Sequence, residues 1–135
     1  MRKYIQIFAG IAVLLSALSG AAEVSYEVRV TVPFAFDAGG KLCPAGDYRL
    51  TVDRGLGQVA FSTDRTRLAV LITTKGESPR DYRNFVRFVR YGQKWFVQDI
   101  VSNGESQHIA PGKAQREAML QASAPKPTVA ELATR

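Results

Sequence analysis

The chain has 135 residues, 46% of them hydrophobic, with 18 basic and 12 acidic side chains and a formal net charge of +6. That is enough for one domain with its own core, and a single cysteine and a single histidine leave no disulfide framework and no familiar metal-ligand spacing. The basic excess is mild, well below the charge density of a dedicated nucleic-acid binder.

Residues 1–22 have the pattern of a secretory signal peptide. Arg2 and Lys3 precede an apolar run from Ile5 to Leu18, and the small residues Gly20 and Ala22 suit cleavage near Ala22. A membrane span needs roughly 20 apolar residues, and this run is shorter and interrupted by Gln6. Loss of the leader lowers the net charge to +4. The expected mature protein is exported, periplasmic or extracellular, with no transmembrane span.

From Val24 to Phe36 apolar and polar residues alternate with a period of two, the pattern of a half-buried strand. Pro33 lacks an N–H and is expected at an edge or at a bulge dividing the segment. The stretch 37–41, DAGGK, reads as a turn. Leu42 and Cys43 lead into Pro44-Ala45-Gly46, after which Tyr48, Leu50 and Val52 resume the alternation.

Arg54-Gly55-Leu56-Gly57 supplies the next turn, and Val59 and Phe61 mark a short strand. Residues 68–73, LAVLIT, are almost all apolar, which predicts a strand covered on both faces. Residues 84–101 predict two strands around Gly92. A two-residue Gly92-Gln93 loop would pair Val89 with Phe96, Phe85 with Ile100 and Arg90 with Trp95, whereas a three-residue loop would oppose Arg87 to Asp99.

The stretch 102–112 reads as a polar loop carrying His108. Strong helix formers from Lys113 to Gln121 predict a short helix packed through Ala114, Ala118 and Met119. The tail, 122–135, has two prolines and few large apolar residues and is expected to be disordered. The fold class expected is all-β: a compact antiparallel sandwich or barrel over residues 23–121, with one short C-terminal helix at about 113–121.

Two motifs carry a resemblance. Val-Pro-Phe-Ala-Phe-Asp-Ala-Gly-Gly-Lys at 32–41 and Cys-Pro-Ala-Gly-Asp-Tyr at 43–48 resemble a group of small exported proteins abundant in acidobacteria, as do the later RYGQKWFVQDI and PGKAQREAML stretches. The group's members have no assigned function, so the resemblance implies export and an all-β domain and transfers no active site. Its usual leucine before the proline is replaced here by Cys43. The same turn is similar to the Pro-Gly-x-Tyr corner of prealbumin-like and other immunoglobulin-like modules, which implies a sandwich.

Candidate chemistry is sparse. Cys43 in a leucine-like slot is expected to be a small buried hydrophobe, with an intermolecular disulfide as the alternative. A Cys–His pair would have to join Cys43 to His108 without a supporting motif. Carboxylates are scattered among turns and strand ends, and no phosphate-cradling glycine loop precedes a helix.

Basic and aromatic residues interleave between Arg80 and Trp95, a composition that suits an anionic ligand but equally a sheet with its aromatics inward. Arg83 and Arg87 share a strand face and are the candidate ligand-binding pair. The expected function is an exported non-catalytic binding or structural module of the cell envelope, without cofactor or metal. Its expected partner is an anionic envelope glycan or lipid, or a protein, rather than nucleic acid. The alternatives are strand addition to a partner at an edge near Pro33, or a small hydrolase that gathers carboxylates with His108 or Cys43.

Overall fold

The computed structural model describes residues 25–77, 82–122 and 126–135, so the leader expected at 1–22 lies outside the described residues. Strand β1 (Ser25–Val32) carries the clean alternation, with Val28, Val30 and Val32 buried between exposed neighbours. It stops at Pro33, which cannot donate to a ladder. The chain there crosses to a second sheet through β2 (Phe36–Ala38), which turns at Gly39-Gly40 into β3 (Lys41–Cys43).

Strands β4 (Gly46–Asp53), β5 (Gln58–Ser62) and β6 (Arg67–Ile72) return to the first sheet, whose order is β1-β4-β5-β6, all antiparallel. Beyond Thr73 the chain again enters the second sheet as β7 (Thr74–Lys75), followed by β8 (Phe85–Tyr91), β9 (Lys94–Ser102) and β10 (Glu105–His108). Helix α1 (Lys113–Gln121) and strand β11 (Thr128–Ala133) complete it. The second sheet runs β11-β8-β9-β10-β7, and β2 pairs in parallel with β9.

On the side of β9 away from β8, Trp95 and Phe96 pair with β2 and residues 99–102 pair with β10. Two short elements therefore share one edge, and the curled sheets form a sandwich-like half-barrel. Between them lies one core. Val30, Val32, Leu50, Val52, Val59 and Phe61 face Phe36, Val86, Phe88, Val97 and Ile100. Phe36 is its centre, with ring centroids 5.2 Å from Tyr48, 5.8 Å from Phe61 and 5.2 Å from Phe88. Each such side chain, fully buried, contributes about 1.5–3 kcal/mol relative to exposure.

Several sequence expectations need correction. The β8–β9 hairpin does use the two-residue loop, with Gly92 at φ 64° and Tyr91 opposite Lys94, and it pairs Val89 with Phe96 and Arg90 with Trp95. A bulge beyond Phe88 then leaves Gln98 unpaired in the ladder and shifts the register, so Arg87 opposes Asp99 and Phe85 opposes Val101 rather than Ile100. The Gln98 carbonyl accepts the Ile109 N–H instead, at 2.9 Å.

Strand β6 is not covered on both faces. It is the last strand of its sheet, with Leu71 buried but Val70 and Ile72 48% and 78% exposed. His108 is not in a loop either, because Asn103 (φ 54°) and Gly104 (φ 75°) make a tight turn that returns the chain as β10.

Helix α1 packs through Gln115, its one buried residue, while Met119 is 43% exposed. Finally, part of the tail expected to be disordered forms β11. Its six residues pair with β8 and place Glu131 opposite Arg87. Arg135 then exchanges backbone hydrogen bonds with Arg29 of β1, at 2.9 and 3.1 Å, joining the two sheets. Backbone pairing and one charge opposite another suffice for an edge strand that has little apolar composition of its own.

Candidate functional site

The registers align Glu131, Arg87, Asp99, His108 and Thr74 in one rung across β11, β8, β9, β10 and β7 of the second sheet. The Arg87 guanidinium donates to Asp99 Oδ2 at 3.3 Å and to Glu131 Oε1 at 3.0 Å. Asp99, whose side chain is 11% exposed, also meets His108 Nδ1 at 2.9 Å. Arg83 reaches Glu131 Oε2 at 3.4 Å. Both guanidinium carbons lie over the Phe85 ring, at 5.2 Å for Arg83 and 5.3 Å for Arg87.

The structure brings Arg83, which precedes β8, and Arg87 together on Glu131, and opposes them with two carboxylates. Charges that alternate along a rung neutralise each other's field at a distance, so this row is a poor magnet for an anion. A depression of about 390 Å³ beside it is lined by Lys75, Arg87, Asp99, Ser106 and His108. The Asp99 carboxylate orients the His108 imidazole, the arrangement of a general base. Among the described residues Ser106 and His108 make no hydrogen bond to each other, and no group of three His, Cys, Asp or Glu residues is placed to hold a metal.

Cys43 lies in the core with no exposed surface. Its Sγ sits 3.6 Å from the Lys41 carbonyl, and burial pushes the thiol pKa up, with Lys41 acting in the opposite sense and Asp37 in the same sense. The Tyr48 hydroxyl donates to the Pro44 carbonyl and closes the corner that holds Cys43 in place. A buried thiol held protonated is neither nucleophile nor metal ligand.

A larger concavity lies elsewhere. Where β6 leaves the first sheet and β7 joins the second, the β2–β3 turn, β9 and the start of α1 surround a groove of about 730 Å³. Leu71, Phe96, Val97 and Ile109, all buried, give it an apolar floor, and Val70 and Ile72 form an apolar wall. Among the described residues its polar lining is confined to Asp37, Thr74, Lys113, Gln115 and Glu117. Asp37 is occupied in part, because its Oδ1 accepts the Gly40 N–H at 2.8 Å.

The sequence marks none of the groove's residues as ligand-binding, and LAVLIT, expected to be covered on both faces, forms a wall open to solvent on one of them. No protein-family model, curated protein or solved structure matches the chain.

Proposed function

We propose that this protein is an exported, non-catalytic binding module of the cell envelope that holds a ligand with an apolar body in the groove between β6 and α1. The observation that carries the reading is the groove itself. A volume of about 730 Å³ falls within the about 300–1,000 Å³ of small-molecule sites, and an apolar floor with a few polar groups at the rim is their usual chemistry. The leader pattern at residues 1–22 supports export, and the resemblance to small exported proteins supports the envelope. The internally neutralised rung at Arg87 favours the groove over the arginine pair as the place where an envelope lipid or similar amphiphile would bind.

A second reading has its own observation. Thr73 N–H donates to the Gly57 carbonyl at 2.8 Å, so the alternation of strand groups turns the backbone of Val70 and Ile72 away from β5. That open edge suits strand addition by an extended apolar segment better than the edge near Pro33, where Arg135 already engages Arg29.

Amide chemical-shift titration with the neutral amphiphile 1-dodecanol separates the two. Shifts at Val70, Ile72, Phe96 and Ala114 are expected, and those at Ile72, Phe96 and Ala114 should persist in a Val70→Pro variant, whose residue 70 has no amide N–H. Absence of shifts with dodecanol, together with shifts from an apolar extended peptide that Val70→Pro abolishes, would replace the small-ligand reading by strand addition.

A further inference from the structure

We propose that the first turn of α1 is the groove's anion site and that the ligand class is a long-chain carboxylate, its alkyl chain on the apolar floor and its head at the helix N-terminus. This rests on the reading of the groove as a binding site. The first intrahelical donor of α1 is Arg116, whose N–H bonds to the Gly112 carbonyl at 3.0 Å. The N–H groups of Lys113, Ala114 and Gln115 precede it and have no acceptor within the helix.

Most helices satisfy these donors with a Ser, Thr, Asp or Asn side chain and add acids in the first turn. Here the N-cap is Gly112, no side chain caps it, and the first turn contains no acid. The positive end of the helix dipole is left for something outside the chain, and it lines the groove through Gly112, Lys113, Ala114 and Gln115.

Gln115 is the independent observation. It is 6% exposed, lines the groove, and its carboxamide has no hydrogen bond to any described residue. Its carboxamide atoms are not among the fully enclosed unpaired ones, so they open onto the groove, where a ligand or water supplies the partner. Lys113 adds a cation with no ion-pair partner among the described residues.

Two acids also line the groove. Glu117 lies four residues beyond Lys113, about 6 Å further along the helix axis, and Asp37 stands at the β2–β3 turn with one oxygen already engaged. They disfavour an anion along the body of the groove and confine the head to the turn at Gly112. A carboxylate fits that turn because it takes two or three convergent donors and carries a single charge.

The test is calorimetric titration of the full chain with dodecanoate and with 1-dodecanol, both below their aggregation concentrations. Dodecanoate is expected to bind about tenfold more tightly than the alcohol, the scale of a helix terminus plus charge-assisted hydrogen bonds. Gly112→Asp, whose new side chain meets open space at an extended backbone position, supplies an internal carboxylate to the same donors. It is expected to abolish the tenfold preference, and continued binding of dodecanol reports that the variant is folded.

Glu117→Gln is expected to tighten dodecanoate severalfold. Equal binding of acid and alcohol, or an undiminished preference in Gly112→Asp, would overturn the anion site and leave the groove reading standing. Failure of both ligands to bind would overturn the two together.

Discussion

Cys43 shows how one side chain is decided by its surroundings. Leu42, one residue earlier, is 74% exposed, while Cys43 has no exposed surface and lies beneath a corner locked by the Tyr48 hydroxyl on the Pro44 carbonyl. The pleat explains the difference, since successive strand residues point to opposite faces. Cys43→Ala removes one buried heavy atom and is expected to cost about 1 kcal/mol of unfolding free energy, in the range of small core truncations. A urea midpoint measures it, and dodecanol affinity should not change. A thiol reagent should label the native protein only as fast as it opens; labelling at the rate of a free thiol would show that the corner does not bury the sulfur.

At the scale of elements, the rung through β11, β8 and β9 makes the strongest claim. Arg87 holds two carboxylates at once, and its side chain is 34% exposed against 11% for Asp99. Arg87→Ala leaves a largely buried Asp99 with His108 as its remaining partner and loosens β11 at Glu131, so it is expected to destabilise by about 1–2 kcal/mol, less than a fully buried pair because water still screens it. Arg87→Lys should recover only part, because an ammonium cannot fork between the two acids. A Lys variant as stable as wild type in urea would show that point charge alone matters. This rung was only half legible in the sequence. Periodicity placed β1, β4 and the β8–β9 hairpin, and turn chemistry chose its two-residue loop. The bulge at Gln98, which brings Asp99 to Arg87, depends on a carbonyl finding the Ile109 N–H across the fold. Likewise, LAVLIT looks like a doubly covered strand because composition records apolarity and not which side of a sheet lacks a neighbour. β11 looks like a frayed tail because its order comes from the partner edge. The groove was illegible for the same reason: Gly112 and Gln115 matter through a missing cap and a missing partner, and neither absence can be read from residue types alone.

The whole molecule is closed at three seams, and their titration behaviour can be read together. Arg135 on Arg29 closes one side, and the Arg54–Glu105 pair at 2.6 Å links the β4–β5 turn to β10 on the other. The Cys43 corner holds β3 beneath β6. Cys43, Tyr48 and Tyr26, at or beside these places, all have pKa values raised chiefly by burial; Cys43 adds to the effect at Tyr48, while at Tyr26 Arg54 opposes it and Glu105 adds to it. Each is an acid whose neutral form the fold prefers. The unfolded chain therefore releases these protons at lower pH than the folded one, so their contribution is complete below the unfolded pKa values and is lost as pH rises through the folded ones. Stability should begin to fall from the ordinary thiol value of 9.0 and fall more steeply above the tyrosine value of 10.0. Tyr48 adds a reason of its own, since its anion no longer donates to the Pro44 carbonyl. Urea midpoints between pH 8 and pH 11 measure the slope. In Cys43→Ala the decline between pH 9 and pH 10 should flatten while the steeper limb remains, because the tyrosines still titrate. A midpoint independent of pH across that window would mean that water reaches all three groups in the native state and that the seams are open.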